Sequence, residues 1–307
     1  MNDFVGYRGR FAPTPSGPLH FGSLVAALGS YLDARAAHGQ WLVRIEDIDP
    51  PRCPEGAAST ILRQLETFGM EWDEAVMWQH TRNDAYQHAL DRLIQRDLAY
   101  PCSCSRKQWQ GLDIYPGWCR EGVCDPTKPV AWRLRSDLGE RPIHWQDRLF
   151  GEQQFDPAKL GDVVLKRKDG LWAYQLAVVV DDAEQQISDV VRGVDLLDNT
   201  PWQRQLQIAL GLPQPRYLHL PLIVTAEGQK LSKQNLAPAL AEDKQGVRQQ
   251  LFQALTALDQ APPQALATEP PATQLHWAVA NWSVAHLHPT EHRSVPLSMR
   301  PSTPPGD

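Results

Sequence analysis

Residues 10–23 read Arg10-Phe-Ala-Pro-Thr-Pro-Ser-Gly-Pro-Leu-His-Phe-Gly-Ser23, and the architecture of the chain can be worked out from them. The residues leading in, Tyr7 to Ala12, form a short strand that Pro13, Pro15 and Gly17 bring to a stop. Beyond the turn, Leu24, Leu28, Tyr31, Leu32 and Ala36 recur at a helical period, so a helix is expected over 21–38, with Gly39 as its stop. A strand that passes through a Pro/Gly turn into a helix opened by small residues is where an α/β sheet holds a nucleotide. The free N–H groups and positive end of the helix face the phosphates there. Gly22 lets a ligand approach the main chain, and His20 is placed to hydrogen-bond phosphate oxygens as charge develops.

The pattern continues in the same style. Trp41-Leu-Val-Arg-Ile45 is a second strand, followed at once by Glu46-Asp-Ile-Asp49 and two prolines, and residues 54–68 and 81–98 are helical. Residues 1–100 therefore form the first half of a doubly wound parallel sheet. Cys, Gly, Pro and Trp interrupt it over 101–125, and short strands are expected over 130–134 and 163–166, which makes 101–172 an inserted subdomain. The sheet resumes over 173–237. Ala173 to Val180 is apolar and reads as a strand ending at Asp181-Asp182, and Ile187 to Arg192 as another ending at Gly193. Asn199-Thr200 opens a helix over 201–210, and residues 218–224 lead into a loop around Lys230. Residues 238–287 are expected to be helical, and 288–307, with five prolines, an unstructured tail.

Composition sets limits on function. With 42% hydrophobic and 21% charged residues the chain is globular in character, and no apolar run approaches the ~20 residues of a bilayer span. The N-terminus lacks the basic-then-apolar pattern of a signal peptide, so a cytoplasmic monomer with no membrane partner is expected. A net charge of −6 gives no global basic footprint. RNA contact would have to use a local patch such as Lys166-Arg167-Lys168 or the basic groups near the catalytic loops.

Four of the five cysteines fall between residues 102 and 124. In a reducing compartment such a cluster is read as a closed structural zinc site, stapling a loop-rich insertion with little core of its own. The pattern alone favours four thiolates: Cys102, Cys104, Cys119 and Cys124. Cys53 stands apart and reads as a packed residue.

A second motif, Glu227-Gly-Gln-Lys-Leu-Ser-Lys-Gln234, lies about two hundred residues after the first. Two lysines on a Gly-containing loop suit closure over a pentacovalent α-phosphate, whose charge exists only in the transition state. Together, the two motifs resemble the HIGH and KMSKS signatures of class I aminoacyl-tRNA synthetases. Ser23 stands where the first signature has its second His, and Gln234 replaces the last Ser of the other. The resemblance implies a Rossmann-type catalytic domain with a zinc-containing insertion and a short helical C-terminal segment. It assigns His20, Gly22, Lys230 and Lys233 to catalysis, with His20, Gly22 and Lys233 contacting ATP.

Arg10-Phe-Ala-Pro-Thr-Pro-Ser-Gly17, Arg44-Ile-Glu-Asp-Ile-Asp49, Asp169 with Tyr174-Gln-Leu-Ala-Val-Val-Val-Asp-Asp182, and Val191-Arg-Gly-Val-Asp195 are similar to segments of glutamyl-tRNA synthetases. That likeness implies a glutamate pocket of Arg10, Ala12, Ser16, Glu46, Tyr174 and Arg192. Arginines would hold the carboxylates, Glu46 the α-amino group, and Tyr174 would line the wall. The arginine, glutamate and tyrosine positions fall at or just beyond expected strand ends. Asp47, Asp49, Asp181, Asp182 and Asp195 are read as supporting groups. The likeness also picks Cys102, Cys104, Tyr115 and Cys119 as metal ligands and leaves Cys124 free, so the fourth ligand stands open between Tyr115 and Cys124.

The resemblance covers about residues 6–237, and only some fifty residues follow that look ordered, too few for the helical anticodon reader of full-length members. The whole pattern resembles the truncated glutamyl-queuosine tRNA(Asp) synthetases. These imply ATP, with Mg²⁺ on its phosphates, and glutamate as substrates, and the anticodon stem-loop of tRNA(Asp) as partner. Two alternatives accompany that reading: a minimal glutamyl-tRNA synthetase charging a terminal adenosine, and a nucleotidylyltransferase or catalytically silent paralogue.

Overall fold

A computed structural model of the chain describes residues 6–139, 141–224 and 240–294. Strand β1 (Arg8–Phe11) leads through the Pro/Gly turn into helix α1 (Phe21–Ala36) and back to β2 (Gln40–Ile45). The strands run parallel, with Arg8 opposite Gln40 and Phe11 opposite Val43. Trp41 to Ile45 are all buried, as befits a parallel strand covered on both faces. Helix α2 (Ala57–Thr67) then leads to β3 (Met77–Trp78), which pairs parallel with β2 and is followed by α3 (Asn83–Gln95).

The insertion divides in two. β4 (Ala99–Cys102), β5 (Ala131–Leu134) and β8 (Val164–Lys166) make a small antiparallel sheet. The hairpin between them, β6 (Ile143–Asp147) and β7 (Gly151–Phe155), belongs to the second half of the catalytic layer. That half contains α4 (Tyr174–Glu184), β9 (Asp189–Gly193), α5 (Thr200–Leu210), β10 (Arg216–Leu220) and β11 (Leu222–Val224). β10 lies parallel to β9 on one side and to β6 on the other. The Ser188 amide donates to the Arg8 carbonyl at 2.9 Å, and the Arg8 amide to Ser188 Oγ at 2.8 Å. These bonds set β9 beside β1.

Helices α6 (Lys244–Ala257) and α7 (Pro271–Asn281) close the main core. Leu251 and Leu255 of α6 and Leu275 of α7 pack with Leu24 and Leu28 of α1, Ile45 of β2 and Leu220 of β10. The C-terminal segment is therefore built onto the catalytic layer rather than appended to it.

Three expectations are corrected. Ala173–Val180 is not a strand but most of helix α4, so Tyr174 sits at a helix start and not beyond a strand end. Leu176, Ala177, Val178 and Val179 are all buried, with α3 and α5 packed against the helix. An unbroken apolar run such as Leu176–Val180 shows no 3.6-residue period, and burial overrides the β-propensity of its three valines. Secondly, Gly39 is not a left-handed stop: His38 takes that conformation, at φ 52°. Gly39 is glycine because a Cβ there would lie 2.4 Å from the Tyr7 carbonyl oxygen. Finally, the expected tail contains a strand, β12 (His292–Ser294), paired parallel with β11.

The Gly39 contact is with main chain, which cannot step aside as a side chain would. Gly39→Ala is expected to lower the unfolding free energy by about 2–3 kcal/mol in urea titration. An unchanged midpoint would mean that the α1–β2 turn has room the structure does not show.

Candidate active site

β1, β2, β9 and β10 present their carboxyl ends at the same edge, where ligands bind in open α/β sheets. A cavity of about 720 Å³ opens there, lined by Thr14, Ser16, His20, Gly22, Ser23 and Asp195, among others. His20 is the N-cap of α1: its Nδ1 accepts from the Ser23 amide at 3.3 Å, and its Nε2 lies 3.0 Å from Ser23 Oγ. With Nδ1 accepting, the proton of the neutral ring belongs on Nε2, where it can point at an oxygen. Ser23 therefore orients the histidine. The first turn of α1 carries no acidic residue to compete for an anion. Arg52, which motif reading passed over, also stands in the cavity wall.

A buried cluster of charge lies beside this cavity. Arg10 grips Asp182 through Nε at 3.0 Å and Nη2 at 3.3 Å. Arg44, fully buried, reaches Asp182 at 2.8 Å and Glu46 at 3.5 Å. Burial alone would raise the Asp182 pKa, but Arg10 and Arg44 together outweigh it and hold the carboxyl below its usual range. Glu46 goes the other way: burial pushes it up to about 7, against the pull of Arg44 and Arg10. The Glu46 amide also donates to the Pro13 carbonyl at 3.0 Å, tying the end of β2 to the Pro/Gly turn.

Tyr174 joins the cluster from the start of α4, its hydroxyl 3.5 Å from Arg192 Nη1. Burial raises its pKa, Arg192 and Arg10 lower it, and Glu46 adds to the rise, so all four groups share one electrostatic neighbourhood. Arg192 is itself enclosed. Nη1 donates to Gln203 at 2.7 Å, Nη2 to Thr200 at 2.9 Å and to the Leu196 carbonyl at 3.2 Å, and Nε to His219 Nε2 at 3.1 Å. Asp147 then lies 2.6 Å from His219 Nδ1. Neither His219 nor Asp147 was singled out from the sequence. The one available signal was a histidine inside the apolar run of a buried parallel strand.

The structure thus brings Arg10, Glu46, Tyr174 and Arg192 together, with Ser16, His20 and Gly22 in the adjoining cavity, and Ala12 directly follows β1. Lys230 and Lys233 lie outside the described residues. Asp47 accepts from the His80 amide at 2.9 Å, and Asp49 pairs with Arg167 at 3.2 Å. The expected RNA patch is largely engaged internally: Arg167 also bonds Asp169, Lys166 lies over Trp172, and Lys168 reaches the Ser103 carbonyl at 2.6 Å.

In the insertion, the sulfurs of Cys102, Cys104 and Cys119 lie within 4.8 Å of one another, all buried. The Tyr115 hydroxyl sits 3.2 Å from Cys102 Sγ and 3.6 Å from Cys104 Sγ, and the Arg133 guanidinium lies 4.2 Å over its ring. Cys124 is exposed and touches the group through Cys119, 3.3 Å away. Burial pushes the Cys104 thiol up to about 12, so a cation is needed to ionise it. Three buried sulfurs and a phenol at these separations suit a closed tetrahedral soft-metal centre.

The family model for the catalytic domain of class I tRNA synthetases of the E and Q type matches residues 7–112 and 120–262. A protein of Ectopseudomonas mendocina named glutamyl-Q tRNA(Asp) synthetase is 54% identical over 92% of this chain and 95% of its own length. One of the same name from Thiobacillus denitrificans is 51% identical over 94% of this chain and 98% of its own. Among solved structures, a glutamate-tRNA synthetase from Elizabethkingia anophelis has a TM-score of 0.78 at 24% identity, covering 94% of this chain and 68% of that one. A glutamate tRNA ligase from Elizabethkingia meningosepticum, solved with its amino acid, has a TM-score of 0.80 at 24% identity, covering 94% and 67%. These two establish the likeness of fold.

Because the Glu46 pKa is raised on folding, its contribution to stability is present at low pH and is lost as pH rises through about 7. Glu46→Gln cannot ionise. It is expected to gain on the wild type between pH 5 and pH 8 by up to about 3 kcal/mol in urea denaturation. A stability gap that stays constant with pH would contradict the raised pKa.

Proposed function

The chain belongs to the class I glutamyl- and glutaminyl-type tRNA synthetase family, and we propose that it joins glutamate, activated by ATP, to the queuosine base at the wobble position of tRNA(Asp). The observation that carries this reading is the buried group of Arg10, Arg192, Glu46 and Tyr174 beside a cavity capped by the start of α1. An amino acid with two carboxylates needs two cationic contacts and one anion, and the cluster offers both. The glutamyl-Q name of relatives that this chain matches over 95% and 98% of their length supports the acceptor.

In the first step the α-carboxylate of glutamate attacks the α-phosphorus of ATP, whose phosphates carry Mg²⁺, and pyrophosphate leaves. Arg10 and Arg192 orient the carboxylates while Glu46 takes the ammonium. His20, the helix start with Gly22, and the lysines at 230 and 233 stabilise charge on the phosphate. No side chain forms a covalent intermediate. In the second step a hydroxyl of the queuosine cyclopentene ring attacks the activated carbonyl and AMP leaves. The anticodon stem-loop therefore enters the site, and a monomer in the cytoplasm suffices for the reaction.

Zinc is the metal that best suits the insertion, with Cys102, Cys104, Tyr115 and Cys119 as ligands. The buried Tyr115 hydroxyl between two thiols, against an exposed Cys124, supports tyrosine as the fourth. Bound there, the ion would supply structural cross-linking and no open position for chemistry.

Labelled glutamate with ATP is expected to appear on tRNA(Asp) containing queuosine, and neither on tRNA(Asp) lacking it nor on tRNA(Glu). Label on tRNA(Glu) would make the protein a minimal charging enzyme. Absence of glutamate-dependent pyrophosphate exchange into ATP would point to a nucleotidylyltransferase or a silent paralogue. Lys233→Ala should cut that exchange by roughly 10²–10³-fold at unchanged melting temperature. For the metal, Tyr115→Phe should weaken zinc retention against a chromophoric chelator while Cys124→Ser leaves it unchanged. The reverse order would assign Cys124 as the ligand.

A further inference from the structure

Arg192 has five N–H donors and no acceptor. Four are committed: to His219, Gln203, Thr200 and the Leu196 carbonyl. The fifth, on Nη1, reaches the Tyr174 hydroxyl at 3.5 Å, a length at which a ligand oxygen would compete. Arg192 therefore offers a substrate one directed N–H rather than an open fork. Where that N–H points depends on the in-plane rotation of the guanidinium. We propose that His219 is a positioning residue for Arg192, fixed by Asp147 in the one neutral tautomer that can accept a hydrogen bond from Nε. This rests on the assignment of Arg192 to a substrate carboxylate.

The bonding settles the direction of each proton. Arg192 Nε donates, so His219 Nε2 must carry a lone pair, and the ring proton belongs on Nδ1. Nδ1 lies 2.6 Å from Asp147 Oδ2, an acceptor that holds this tautomer. Asp147 is fixed in turn, since its Oδ1 accepts from the Leu149 and Phe150 amides at 3.0 Å each. Both side chains are fully buried, so no water can replace either bond.

Aromatic packing removes the remaining freedom. The His219 ring stacks on Tyr217 at an interplanar angle of 4°, with centroids 5.9 Å apart, and the Arg192 guanidinium lies 5.3 Å over the same tyrosine. Protonation of Nε2 would set donor against donor. The fold opposes it: burial, reinforced by the Arg192 charge and only partly offset by Asp147, brings the His219 pKa down to about 4. The line Asp147–His219–Arg192 runs from β6 through β10 to β9, so a strand within the insertion reaches the substrate pocket through two hydrogen bonds.

The test is glutamate-dependent pyrophosphate exchange, with KM read separately for glutamate and ATP. His219→Leu removes the acceptor and should raise the glutamate KM roughly tenfold or more, leaving the ATP KM within about twofold. His219→Gln can set its amide oxygen where Nε2 was and should restore most of the loss. Asp147→Asn presents an N–H to the ring, favours the wrong tautomer, and should again raise the glutamate KM selectively. Unmoved KM values in His219→Leu, or both rising together without rescue by glutamine, would overturn the positioning role.

Nitrogen-15 NMR of the wild-type His219 ring at pH 7 gives a readout independent of turnover and of variant folding. A protonated Nδ1 with a bare Nε2 supports the proposal, and the opposite tautomer overturns it. Wild-type protein inert with glutamate would overturn the functional reading beneath it. Normal wild-type exchange with an insensitive His219→Leu would overturn the positioning role alone.

Discussion

Two adjacent buried carboxylates at the end of α4, Asp181 and Asp182, tie the two halves of the catalytic layer together. Asp181 accepts from Gln79 at 2.8 Å, from Arg82 at 3.0 Å and from Tyr86 at 2.7 Å. Asp182 accepts from Arg10 on β1 and holds Arg44 on β2. A guanidinium as buried as Arg44 is tolerated only with a partner, and removing one side of such a pair costs about 3–5 kcal/mol. Placing the acids on a helix from the second half makes the first half depend on it. The helix in turn starts at Tyr174, so the same element that neutralises the arginines also delivers the pocket tyrosine.

The charges of the cluster suit its proposed ligand. Arg10 and Arg44 meet Asp182, which they hold ionised, and Arg192 faces Asp147 only through His219. Burial raises Glu46 to about 7, so an ammonium arriving beside it favours its ionised form. In a buried site such pairing is stronger than at a surface, since charges about 4 Å apart interact by roughly 4 kcal/mol at an effective dielectric of 20 and by about 1 in water.

What the sequence disclosed followed how local each signal was. The His20 corner was legible because strand, turn and helix start are adjacent in the chain, and the cysteine cluster because its four thiols fall within 23 residues. Helix α4 was hidden by its own burial, since the unbroken apolar run Leu176–Val180 carries no helical period to read. His219 and Asp147 lie 72 residues apart, and nothing local marks either as a partner of Arg192. Gly39 was noticed for the wrong reason, because its need for space comes from Tyr7, just before the neighbouring strand β1. The strand His292–Ser294 was missed because its partner is Leu222–Val224, far away in the chain.

The insertion shows how a segment with little apolar content can still be anchored to the site. Its hydrophobic group is Tyr100, Cys102, Cys104, Tyr115 and Cys119 with Trp109 against them, so its core and its candidate ligand set are largely the same residues. Polar contacts brace this core within the insertion: Asp162 accepts from Nε and Nη2 of Arg120 at 2.7 Å each and from the Ser136 amide at 2.9 Å, and Tyr100 bonds it as well. On the opposite side, Lys168 reaches the Ser103 carbonyl while Arg167 pairs with Asp49, just past the Glu46 strand end. Of the basic triplet, Arg167 pairs with Asp49 and Asp169 and joins insertion to active site, whereas Lys166 and Lys168 bond neutral acceptors, Gln87 and the Ser103 carbonyl, and keep their charge for a polyanion.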